Sequence, residues 1–229
     1  MVAGVPIFVA IDKPSLADAL ELAEPLVGIV GGLKLGLQFV HAEGPKGVER
    51  LARFGLPIFL DLKLHDIPNT VAGAVRSLAP LGARFLTIHA SGGPAMMEAA
   101  LDAAQTAPGL QLLGVTVLTS LDSQDLRAVG QQDDASNQTK RLAGLAVGCG
   151  LTGLVCAPPS IADLRAMVPS DTVLMVPGIR PQGSAVGDQK RVMDPAGALS
   201  LGANFLVIGR SITAAPDPAK AASAIVETL

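Results

Sequence analysis

Apolar residues run along this chain in short unbroken blocks, separated by stretches where they recur every three or four positions. Eight blocks stand out, at residues 7–11, 31–35, 57–61, 84–88, 111–117, 153–156, 173–176 and 204–208. Continuous rather than alternating hydrophobicity is expected of strands covered on both faces, as in a parallel sheet. Between them residues 15–22, 70–78, 160–167, 195–201 and 219–226 have helical spacing, the first opening on a serine cap at Ser15. Eight strands alternating with helices predict an α/β chain forming one (β/α)8 barrel of the TIM type over residues 1–229. An open doubly wound sheet shares that alternation, and strand counting does not separate the two.

The polar positions tilt the balance. Asp12, Lys34, Asp61, Lys63, His89, Thr119, Arg180 and Arg210 all lie at or just after the C-terminal end of a candidate strand. In a barrel those ends converge on one face, where a site belongs. One polar stretch, residues 120–140, is long and charged enough to form a surface excursion or a lid.

Composition narrows the classes. Hydrophobic residues make up 49% of the 229 and the formal net charge is -3, which excludes a disordered chain. Aromatic residues are only 3%, with no Trp and no Tyr, so Leu, Val, Ile and Ala are expected to carry the packing. With 17 Lys and Arg against 20 Asp and Glu there is no basic excess for a nucleic-acid partner. No apolar stretch approaches the ~20 residues that span a bilayer, and the first residues carry no positive leader. Two cysteines, Cys149 and Cys156, are too few for a disulfide scaffold. A soluble, cytoplasmic protein without a membrane partner is the expectation.

The densest chemical signal is Asp61-Leu62-Lys63-Leu64-His65-Asp66-Ile67-Pro68-Asn69-Thr70. Asp61 and Lys63 share a strand face if the strand continues through both, and Asp66 falls where a helix should begin. A bland reading makes Asp66 a helix cap, and Asp61 with Lys63 an ion pair at the barrel mouth. Against it, charges on an apolar strand are costly to desolvate. Lys34 would add a second cation from the neighbouring strand, giving an alternating array in which each carboxylate lies between cations. A second signal is a Gly-Arg turn after each of the last two strands, at 176–181 and 207–211. Glycine admits backbone N–H groups close to an anion and arginine offers a planar fork, so this pair suits a phosphate.

These residues, with Ala10-Ile11-Asp12, Leu33-Lys34-Leu35-Gly36, Val117-Leu118-Thr119-Ser120, Pro177-Gly178-Ile179-Arg180-Pro181 and Gly209-Arg210, resemble the orotidine 5′-phosphate decarboxylases end to end. The resemblance implies decarboxylation of orotidine 5′-monophosphate to uridine 5′-monophosphate without metal or organic cofactor. It makes Lys63 the proton donor, in a charged array with Lys34, Asp61 and the partner subunit's Asp66. Asp12 and Lys34 would hold the ribose hydroxyls, joined by Asp66 and Thr70 across a homodimer interface. Thr119 or Ser120 would meet the pyrimidine, and Arg180, Gln189, Gly209 and Arg210 the phosphate. His65 reads as a packing residue, His89 as pocket floor or ligand contact, and His41 as solvated; the three are too dispersed for zinc.

Three other readings compete. A related barrel decarboxylase of sugar-acid phosphates shares the Asp-x-Lys-x-x-Asp motif but works through magnesium and an enediolate. The 177–181 signature and Lys34 favour the orotidylate reading. A Schiff-base aldolase would need Lys63 uncharged, whereas flanking carboxylates favour the ammonium. A barrel that merely binds a phosphorylated metabolite would not need Lys63 between two acids.

Overall fold

The computed structural model describes residues 4–132, 134–181 and 193–229. Eight parallel strands close on themselves: β1 Ile7–Ala10, β2 Gly32–Gly36, β3 Ile58–Leu64, β4 Phe85–His89, β5 Gln111–Val115, β6 Gly153–Val155, β7 Val173–Val176 and β8 Phe205–Ile208. The closing pair sets Phe8 of β1 opposite Val207 of β8, so the open-sheet alternative is excluded.

Successive residues on a strand point to opposite faces, and here the two faces join two different cores. Ile7, Val9, Leu33, Leu35, Ile58, Leu60, Leu86, Ile88, Leu206 and Ile208 pack outward, in one cluster with the helices. Phe8, Ala10, Phe59, Phe85, Leu113, Val115, Val155, Met175 and Val207 fill the barrel. Aliphatic residues do carry the outer core. The interior, however, gathers most of the few aromatics: Phe8 meets Phe59, Phe85 and Phe205 edge-on at 6.1, 5.6 and 5.5 Å. The Arg84 guanidinium lies 5.0 Å from the Phe85 ring and 5.1 Å from that of Phe205, closing the lower end. Gly32 is required beside this cluster, because a Cβ there would collide with the Phe8 ring and lie 2.7 Å from the Pro57 carbonyl.

The helices around the barrel are α1 Leu16–Ala23, α2 Leu37–Ala52, α3 Pro68–Leu78, α4 Pro94–Ala104, α5 Ser123–Ala128, α6 Ala135–Gly148, α7 Ile161–Met167, α8 Pro195–Ser200, α9 Arg210–Thr213 and α10 Pro218–Val226. Ser15 caps α1 as expected, accepting the Asp18 N–H at 3.2 Å. One expectation needs correction. The cap of α3 is Ile67 with Pro68 following, so Asp66 stands outside the helix rather than at its N-cap. The 120–140 stretch is helical in part: Asp122 and Asp125 form a reciprocal capping box that starts α5, and Asp134 caps α6.

Candidate active site

The interior columns of three strands change character as the strand rises. On β1 Phe8 and Ala10 are followed by Asp12; on β3 Phe59 is followed by Asp61; on β4 Phe85 is followed by Thr87. The apolar layer is therefore at the N-terminal end of the barrel and the polar layer at the C-terminal end. Above the polar layer opens a cavity of about 430 Å³, a volume suited to a small organic ligand. Asp12, Lys34, Asp61 and Lys63 line it on one side. Gly178, Arg180, Gly209 and Arg210 line it from the ends of β7 and β8.

The charged side is an alternating chain of contacts. Lys34 Nζ lies 3.0 Å from Asp12 Oδ1 and 3.8 Å from Asp61 Oδ2, while Lys63 Nζ lies 2.8 Å from Asp61 Oδ1. Lys34 is buried, Asp61 and Lys63 are half-buried and Asp12 is exposed. Burial of this kind is tolerable only because each charge faces its opposite. Gly36 makes room for it, since a Cβ there would stand 2.8 Å from Lys34 Nζ and 3.0 Å from Asp12 Oδ1.

Asp61 and Lys63 both reach the cavity, but not through a regular strand. Leu60 pairs with Leu86 and Leu64 with Ile88, so four residues of β3 advance against two of β4. This bulge leaves Lys63 at φ 51°, the one non-glycine residue with positive φ among the described residues. Such backbone costs about 1 kcal/mol or more and persists only where surroundings hold it. Its N–H donates to Thr87 Oγ1 at 2.8 Å, and the Thr87 hydroxyl donates to Asp61 Oδ1 at 3.2 Å. Thr87 was not among the residues singled out from the sequence. A lone threonine in an apolar strand carries no signal until the bulge opposite it is known.

The remaining expected residues divide. Thr119 lines the cavity, whereas Ser120 is exposed and does not. Gly178 adopts φ 83°, and Gly209 precedes the short α9. Arg180 donates to its own Ile179 carbonyl at 3.0 Å. Gln189 lies outside the described residues. Asp66 and Thr70 are exposed and line a separate groove of about 460 Å³ between α2 and α3, which also reaches Lys63. The Asp66 carboxylate accepts the Ile67 N–H at 2.7 Å, and among the described residues it makes no ion pair with Lys63 of its own chain. The four-membered array within one chain is thus Asp12–Lys34–Asp61–Lys63, with Asp66 outside it.

His65 and His89 pack together with ring centroids 5.4 Å apart and planes tilted by 34°. Burial first, then the neighbouring His65 and Lys63, push the His89 imidazole below its ordinary pKa, against a smaller opposing pull from Asp61. His41 is exposed, with Nδ1 2.8 Å from the Leu37 carbonyl. No three His, Cys, Asp or Glu side chains gather to hold a metal ion among the described residues, and no helix among them is long and apolar enough to cross a membrane.

Comparison with known proteins identifies the family. The chain is 51% identical over 227 residues to an orotidine 5′-phosphate decarboxylase of Paramagnetospirillum magneticum, covering 96% of each. It is 50% identical over 224 residues to that of Sphingopyxis alaskensis, covering 98% of this chain and 99% of the other. The crystal structure of orotidine 5′-phosphate decarboxylase from Lactobacillus acidophilus superposes with a TM-score of 0.86 at 32% identity, over 97% of this chain and 98% of that one. A family model described as orotidine 5′-phosphate decarboxylase / HUMPS matches residues 6–225, and the chain belongs to that family.

Proposed function

We propose that the protein decarboxylates orotidine 5′-monophosphate to uridine 5′-monophosphate, in the last step of pyrimidine nucleotide synthesis in the cytoplasm. The observation that carries this reading is one cavity with an alternating Lys-Asp array on one side and two Gly-Arg turns on the other. The first suits the reacting carbon and the second suits the phosphate.

Loss of CO₂ breaks the bond from C6 of the pyrimidine to its carboxylate and leaves the electron pair on C6. That pair occupies an sp² orbital without an adjacent carbonyl to delocalise it. Stabilisation must be electrostatic, and protonation must be prompt. The Lys63 ammonium faces the developing charge and delivers its proton to C6, regaining one from solvent afterwards. At about 4 Å and an effective dielectric near 20 its attraction is worth roughly 4 kcal/mol. Preorganisation by Asp61 and Lys34, and phosphate binding energy gathered at Arg180 and Arg210, supply more. Asp12 and Lys34 hold the ribose hydroxyls and Thr119 the pyrimidine. The array itself provides the electrostatics, so the reaction needs no metal or organic cofactor.

The working unit is a homodimer. Asp66 and Thr70 border a groove that reaches Lys63, and the apolar Leu37 and Ile67 nearby are 48% and 66% exposed. Twofold pairing along this face lets each subunit lend Asp66 and Thr70 to its neighbour. Lys63→Ala and Asp66→Asn variants, each inactive, then complement when mixed. Random exchange makes about half the dimers mixed and about a quarter of all sites intact. Activity rising from near zero to roughly that fraction supports the shared site; no recovery despite demonstrated exchange removes it.

The experiment for the function itself is the ultraviolet absorbance change of orotidylate on adding the protein after exhaustive chelation. Turnover to uridylate supports the reading. A strict magnesium requirement, or inertness toward orotidylate, refutes it and favours the sugar-acid branch of the family.

A further inference from the structure

Strand β4 carries a single hydroxyl in its buried run, Thr87, which is 0% exposed. A buried hydroxyl is costly unless it is satisfied. The bonding here has one consistent direction. The Lys63 backbone N–H can only donate, so Thr87 Oγ1 accepts it at 2.8 Å. The single hydroxyl proton of Thr87 then goes to Asp61 Oδ1 at 3.2 Å. Lys63 Nζ reaches the same oxygen at 2.8 Å. A closed ring results, running from the Lys63 backbone through Thr87 and Asp61 to the ammonium of the same lysine.

Two consequences follow from that ring. It replaces strand pairing where β3 bulges away from β4, and so holds Lys63 in its positive-φ backbone. It also saturates Asp61 Oδ1 with two donors, which fixes the plane of the carboxylate and leaves Oδ2 turned toward Lys34 at 3.8 Å. We propose that Thr87 is a positioning residue, setting where the Lys63 ammonium and the Asp61 carboxylate stand. Its kinetic consequence rests on the decarboxylase reading above; its geometric consequence does not.

Thr87→Val keeps the shape and removes the hydroxyl, and Thr87→Ser keeps the hydroxyl. Misplacing a reacting group by about 1 Å can cost about a hundredfold in rate. We expect Val to lower kcat by roughly ten- to a hundredfold while uridylate affinity, set largely by the phosphate side, stays within about threefold. Ser should restore kcat to within about threefold of wild type. Thr87→Ala, a second hydroxyl-free variant, reads the same way where Val strains the fold. Crystal structures of wild type and Val variant complete the test. The variant should lose the short Lys63–Asp61 contact or the positive φ of Lys63. Should wild type prove inert toward orotidylate while Val still disturbs that pair, the decarboxylase reading falls and the positioning role stands. A hydroxyl-free variant with unchanged kcat and unchanged Lys63–Asp61 geometry, or a Ser variant as impaired as Val, would overturn the proposal.

Discussion

The two ends of the barrel interior are built from the same strands by opposite physics. At the lower end Phe8, Phe59, Phe85 and Phe205 pack edge to face, with Phe8, Phe59 and Phe85 at most 1% exposed. Two residues further along β3, and two or four along β1, the columns reach Asp61 and Asp12. The lower layer is satisfied by shape, with the Arg84 guanidinium lying over its rings. The upper layer is satisfied by direction: Asp12, Lys34, Asp61, Lys63 and Thr87 are each aimed at a partner. The period of two along a strand lets one segment serve both ends, so stability and chemistry are separated by about 7 Å of backbone.

That separation can be broken experimentally, beginning where the effect is largest. Phe59→Ala, in the lower layer, should destabilise the protein by about 3–5 kcal/mol through lost burial and a cavity. In a thermal or urea unfolding experiment the loss should be plain, while kcat per folded molecule stays within about threefold. A collapse of kcat in the folded fraction would show that the layers are mechanically coupled.

Arg210→Ala probes the phosphate side of the upper end. It should lower kcat/KM for orotidylate by roughly ten- to a hundredfold, with part of the loss in kcat, because phosphate contacts can be spent on the transition state. Stability should barely move, since Arg210 is exposed. Kinetics equal to wild type would remove Arg210 from the phosphate site.

The smallest effect belongs to His89, at the rim between strand and solvent. Its pKa lies below the ordinary 6.5, chiefly through burial. The folded protein therefore binds this proton less readily than the unfolded chain, and stability falls as pH falls below 6.5. Above that value both states hold the neutral ring and the contribution vanishes. His89→Gln should flatten the acid side of the stability profile slightly and leave it unchanged at pH 8. An unaltered acid slope would mean that other groups set it.

The same contrast explains what could be read from the chain directly. Strands buried on both faces leave unbroken apolar blocks, and all eight expected blocks are strands. Charges at their ends are conspicuous, which is why Asp12, Lys34, Asp61, Lys63, Arg180 and Arg210 were visible and do line one cavity. Helix α2 was not legible, because it crosses a kink at Gly44 and Pro45 that reads locally as a turn. Helix α6 was hidden in part by the polar run at its start. The positive φ of Lys63 was invisible for a deeper reason: no local preference of lysine favours it, and only Thr87 and Asp61 across the bulge hold it there. Asp66 and Thr70 were visible as polar residues, but one chain does not bring them to Asp61, so the role proposed for them rests on the proposed dimer.

Whether the upper layer performs the chemistry through Lys63 is decided by assaying Lys63→Ala for orotidylate turnover alongside uridylate binding. Turnover should disappear while uridylate binding is largely kept, and Lys63→Arg should fail as well, because guanidinium holds its proton too tightly and differs in shape. A Lys63→Ala protein retaining even about a tenth of wild-type turnover would contradict this role, since a lost proton donor and facing charge should cost far more than the roughly 1.4 kcal/mol that tenfold represents.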